Sequence, residues 1–230
     1  MNLESETRLS HEFFGALSGA LVAISAIPYL MRVLQRKISP QLSSWGLWAF
    51  IGFAILLTYG SESKDWSAIP AIFGFINPTL VIVAVLWIRS RRLRAIQERG
   101  KLGLLLKLRR KTSLKWYEWL CLIAGAISLA LWLRYQGSSE HSHAALYTAI
   151  AADVCAVIPT MIFVVGQPKE ERPFPWLLFG VGYAFAIPAV TLPSWANYAL
   201  PVYMTFGTFA IATPIVMYCL RSRTPLRKWI

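Results

Sequence analysis

Charge is in short supply in this sequence. Only 15% of its 230 residues are charged, with 11 acidic against 23 basic, where an ordinary soluble domain carries about 25%. Such a chain cannot be solvated over its whole surface. The net charge of +12 would suit nucleic acid if it covered one face, but the basic residues gather in short connectors between apolar runs, so no nucleic-acid partner is expected. Cysteine is equally sparse. Cys121, Cys155 and Cys219 have no close spacing, which argues against a disulfide framework or a zinc site, and they are expected to be buried packing residues. The opening MNLESETRLSHE lacks the basic start and small-residue cleavage site of a secretory signal, so the first apolar run is expected to be retained.

Other absences narrow the chemistry. No His falls inside an apolar run and no second carboxylate lies near Asp153, so the acid–base and metal constellations of an intramembrane enzyme are missing, and the chain is not expected to be an enzyme. His141 and His143, with Glu140, are too few for a convincing metal site. No Lys sits at the centre of a run to form a retinal Schiff base, and no nucleotide-binding motif suggests a primary pump. No cofactor is expected.

What the sequence has is apolar length: 56% hydrophobic residues and a mean hydropathy of +0.50. A helix needs about 20 mostly apolar residues to cross the hydrocarbon core. Such segments lie at 13–34, 43–60, 67–88, 116–134, 144–165, 174–192 and 197–220. They are continuously apolar, without the period-two alternation of a barrel, so the expected fold is an all-α membrane protein of seven transmembrane helices, one membrane domain over 1–230. With the connectors after the first, third and fifth segments and the C-terminus on one side, 20 of the 23 basic residues share that side; Arg8, Lys64 and Arg134 remain. By the positive-inside rule the N-terminus is outside and the C-terminus cytoplasmic. Connector 89–115 adds the apolar run Leu102 to Leu108 to a basic cluster. It reads either as an interfacial helix on anionic lipid or as a plain topology signal.

The chain also repeats itself. At an offset of 131, Pro28 meets Pro159, Trp45 meets Trp176 and Pro70 meets Pro201, and AIPYLMRVL aligns with VIPTMIFVV. Two three-helix repeats, 13–88 and 144–220, are thus joined by a linker helix, 116–134, in a 3+1+3 order. An odd number of crossings between the copies makes them parallel, an organisation found in transporters that bind solute at the midplane between halves.

The segments AIPYLMRVLQRKISPQLSSWGLW and DVCAVIPTMIFVVGQPKEERPFPW resemble the repeat signature of the SWEET, PQ-loop and KDEL-receptor superfamily: a proline near the end of the first helix, a basic loop, then Trp opening the second helix. The second copy is similar to small bacterial members. Where a PQ-loop protein has Gln after the helix proline, this chain has Tyr29 and Thr160. The resemblance implies a bacterial inner-membrane transporter moving a small polar solute by alternating access, or a non-transporting receptor or accessory subunit with a protein partner in the membrane.

Asp153 is the sharpest single signal, a carboxylate mid-segment with no basic residue in any run to pair with. It should face the interior, protonated or partnered. Two readings stand: proton coupling or binding of a polar or cationic solute, and neutral hydrogen-bonded packing. Its repeat mate is Val22. Asn77 and its mate Thr208 fall mid-segment, where the resemblance implies solute contact and interhelical hydrogen bonding is the alternative. Trp48 and Tyr183, with Tyr198 and Tyr203, are candidates to stack on a solute. Pro28 and Pro159 are candidate hinges. Trp45 and Trp176 fit an interfacial aromatic belt.

Overall fold

A computed structural model describes residues 3–38, 40, 42–63, 65–98, 116–135 and 139–229. Among them there is no strand, and seven α-helices follow one another: α1 Leu3–Leu34, α2 Leu42–Glu62, α3 Ile69–Glu98, α4 Trp116–Arg134, α5 Ser139–Gly166, α6 Pro173–Ala186 and α7 Trp195–Arg221. Five stretches, Glu6–Leu34, Ser44–Ser61, Trp66–Arg92, His143–Gly166 and Trp195–Arg221, are long and apolar enough to cross a membrane. The solvent pattern is inverted in the same sense. Ile27, Val83, Ile127, Ile162 and Phe206 stand exposed on the helix exteriors while Ser25, Thr58, Asn77 and Asn197 are buried, the distribution a multi-pass membrane protein needs.

The boundaries depart most from expectation in three places. α1 begins ten residues before the expected 13, at Leu3. α3 continues past the expected 88 to Glu98, so the first part of the basic connector extends that helix, with the Arg91 guanidinium 4.1 Å from the Trp87 ring; residues 99–115 lie outside the described residues. The run expected to span 174–192 yields only the 14-residue α6, about 21 Å long. Pro188 explains the stop: Ile187 is still helical, but proline has no N–H to donate four residues back, and the Ala184 carbonyl accepts from the Ile187 N–H instead.

Local chemistry sets the other ends. Pro173 occupies the first turn of α6 after an extended Arg172, where its missing N–H costs nothing. Ser194 caps α7 by accepting from the Asn197 N–H at 3.1 Å, and Asp65 caps a 3-10 turn at Trp66–Ala68 that leads into α3. α1 and α7 end alike: Lys37 N–H donates to the Arg32 carbonyl and Thr224 N–H to that of Cys219, with Arg36 and Arg223 at φ 58° and 50°, the left-handed turn that closes a Schellman cap.

The helices pair in a regular order. α3 packs on α1 and α2, and α7 packs on α5 and α6; between these triplets α1 lies on α6 and α2 on α5, while α4 rests on α2 and α5. Small residues permit the closest approaches. A Cβ at Gly182 would lie 2.6 Å from Val22 Cγ2 and 3.2 Å from the Ser18 carbonyl oxygen, and one at Gly52 would lie 2.7 Å from that of Gly74. Gly182→Leu should therefore force α1 and α6 apart and lower stability by about 1–3 kcal/mol, read as a fall in melting temperature of the purified protein; an unchanged melting temperature would refute this tight contact.

Of the three cysteines, Cys121 and Cys219 are buried as expected, but Cys155 is exposed on α5. In a membrane-crossing helix an exposed thiol on an outer face needs no protein neighbour, because lipid excludes water there.

Candidate solute-binding cavity

The helix triplets enclose a cavity of about 750 Å³ to which all seven helices contribute, through Ser25, Trp48, Asn77, Glu118, Asp153, Phe179 and Tyr203 among others. Its lining starts at Lys37, Pro40, Glu171 and Arg172, in the connectors, and reaches inward to Ala71 and Tyr183. Among the described residues, no lining residue comes from 59–68 or 187–197, so the cavity opens at the basic-connector end and stops within the bundle.

That blind end is closed by a polar network joining the two triplets. The Asp65 carboxylate accepts from the Thr191 N–H at 2.8 Å and hydroxyl at 2.9 Å, from Ser63 Oγ at 2.6 Å, and from the Ser67 N–H at 3.0 Å and its hydroxyl. Tyr59 donates its hydroxyl to the Asn197 carbonyl at 2.7 Å and meets Ser67 Oγ at 3.0 Å. Tyr183 donates to the Pro70 carbonyl at 3.2 Å, and His11 Nδ1 lies 2.7 Å from the Pro188 oxygen. Partial burial alone would raise the Asp65 carboxyl, but the hydrogen bonds from Ser63, Ser67 and Thr191 outweigh it and hold it below the usual aspartate value.

At the open end, charges of both signs meet. Burial raises the Glu171 carboxyl above the ordinary carboxylate range, against a hydrogen bond from Trp176 and the nearby charges of Arg32 and Arg172. The Arg172 guanidinium donates to the Lys169 and Glu171 carbonyls at 3.0 and 3.1 Å, which fixes the turn that carries Glu171.

Five candidate binding residues from the sequence, Asp153, Asn77, Thr208, Trp48 and Tyr183, together with Pro28, line this one cavity. Their roles within it differ. Asp153 has the partner its depth requires, accepting from the Tyr203 hydroxyl at 2.7 Å across from α5 to α7. Asn77 spends its amide on the Val22 carbonyl at 2.9 Å, between α3 and α1, and Thr208 bonds back to Met204 within α7. Tyr183 is only 1% exposed and ties α6 to the start of α3. Pro28 sits inside the unbroken α1. Pro159 falls within the range of α5, and its side chain lies outside the described residues.

Trp45 and Trp176, expected at the interface, stay in the first turns of α2 and α6 and also face inward. Both line the cavity, with ring centroids 5.3 Å and 6.0 Å from Trp48, which stands between them. Tyr29 continues the row 4.8 Å from Trp45. Sequence reasoning undervalued Tyr203, one of nine tyrosines; its link to Asp153 depends on the packing of α5 on α7.

Comparison with known protein families, characterised proteins and solved structures gave no match to this chain.

Proposed function

We propose that the chain is a SWEET-like membrane transporter that moves a small polar solute by alternating access. In this reading it crosses a bacterial inner membrane seven times, with two parallel three-helix halves, α1–α3 and α5–α7, joined by α4, and with the N-terminus outside and the basic connectors in the cytoplasm. The observation that carries the reading is a cavity between the two triplets that is open at the basic end and sealed by hydrogen bonds at the other. The pairing supports it: the third helix packs on the first and second in each triplet, and the first helix of either triplet packs on the second of the other. Such reciprocal contacts suit two bodies that rock about a shared axis.

A receptor or accessory subunit is the second reading, favoured by the way Asn77 and Thr208 spend hydrogen-bonding groups inside the protein. It requires binding without alternation. Thiol labelling of a cavity cysteine from each face of the membrane separates the two, since only a transporter exposes the same position to both sides.

A further inference from the structure

The charges along the cavity sort by depth. Near the mouth, Arg32, Lys37 and Arg172 face Glu118, Glu170 and Glu171 as lining residues, three formal charges of each sign. Among the described residues, Asp153 is the one remaining charged lining residue. It lies thirteen residues from the connector end of α5, about 20 Å inward, so the potential in the depth of the cavity is set by a single carboxylate. Its described partner is one neutral hydroxyl, that of Tyr203, which orients the carboxylate without neutralising it.

Between mouth and carboxylate the wall is aromatic, a continuous row of Tyr29, Trp45, Trp48 and Trp176. Aromatic faces attract cations, with larger effect once water is excluded. A divalent or hydrated inorganic ion would need several oxygen ligands, and one carboxylate with a tyrosine does not supply them. An anion would meet the Asp153 charge at low dielectric. A solute with one positive charge and an apolar or planar body meets both features, and about 750 Å³ is within the range that holds such molecules.

We propose that the solute is a small organic monocation, its charge held by Asp153 with Tyr203 as positioning residue and its body passing the Trp45–Trp48–Trp176 wall. The inference rests on the transporter reading for direction of access, but its binding chemistry is testable separately.

The test uses the full-length purified protein at pH 8 and three probes that share a phenyl ring: benzyltrimethylammonium, which is charged at every pH, benzyl alcohol and benzoate. Equilibrium binding and melting temperature are read for wild type, Asp153→Asn, Asp153→Glu and Trp48→Ala. Saturable binding of the ammonium probe alone is expected, weakened about tenfold or more in Asp153→Asn and about three- to tenfold in Trp48→Ala, and kept in Asp153→Glu. If Asp153→Asn does not yield a monodisperse protein, Trp48→Ala and the three-probe comparison still decide. Equal binding of benzyl alcohol, preference for benzoate, or no saturable binding of the ammonium probe up to millimolar concentration overturns the proposal. Uptake into proteoliposomes separates it from the parent reading: a neutral solute carried while the ammonium probe is ignored refutes the cation and leaves transport standing, whereas ammonium binding with no flux supports the cation and refutes transport.

Discussion

Gly207→Trp should stop transport while leaving the fold intact. Gly207 lines the cavity on α7, and a Cβ there would meet only the Tyr203 ring, at an ordinary 3.8 Å. A side chain can therefore leave the backbone at this point without a clash, and an indole attached there is expected to fill part of the cavity that Gly207 lines. Glycine in a helix interior is about 0.8–1 kcal/mol less favourable than alanine and tryptophan is less penalised than glycine, so the substitution lowers a backbone penalty as it adds bulk. The expected result is uptake reduced about tenfold or more, for whichever solute of an amine, sugar, nucleoside and amino-acid panel the wild type carries, with a melting temperature equal to or slightly above wild type. Full uptake in a stable Gly207→Trp protein would show that solute does not pass through this cavity.

The second large effect concerns the closed end and depends on pH. Asp65 is a carboxylate held below its usual value by donors from Ser63, Ser67 and Thr191, and the Thr191 bonds join the start of α3 to the segment between α6 and α7. A carboxyl depressed in the folded state contributes stability that is present above the unfolded value, about 3.9, and lost as pH falls through the folded one. Hydrogen bonds to charged groups contribute about 1.5–3 kcal/mol each when buried; because Asp65 is partly exposed, about 2 kcal/mol for the whole set is a fair expectation. Asp65→Asn should lower the melting temperature at pH 7, and the gap to wild type should narrow between pH 5 and pH 3. A gap of constant size across that range would mean that the ionised carboxylate is not what holds this end.

How much of this was legible in one dimension follows from which interactions are local. Apolar length alone located the helices, because lipid forces every backbone group in a spanning segment to bond within it. Position 153 announced itself because a mid-segment carboxylate is costly unless it faces the interior. The partner of Asp153 was not legible: Tyr203 is fifty residues away and one aromatic among many. The closed end escaped notice for another reason. Ser63, Asp65, Ser67 and Thr191 are ordinary turn residues, and their convergence depends on how the α2–α3 turn meets the segment after α6. Position at helix starts marks Trp45 and Trp176 as interfacial, but that both line the cavity depends on the packing of α1 on α6 and α2 on α5, which no local pattern shows. The early stop of α6 was written in Pro188, which hydropathy averaging overlooks.

The most direct measurement of alternating access is the accessibility of one cysteine from both faces of the membrane. In a background with Cys121, Cys155 and Cys219 replaced, Gly207→Cys places a thiol in the cavity, and a membrane-impermeant thiol reagent is applied to right-side-out and inside-out vesicles, with and without Asp65→Asn. The expected result is rapid labelling from the basic-connector face in the parent protein, slow labelling from the opposite face, and a clear rise in the latter when Asp65→Asn loosens the closed end. Labelling from the opposite face that stays absent in the Asp65→Asn protein, or that is equally fast from both faces without it, would contradict alternation and leave a static cavity or an open pore.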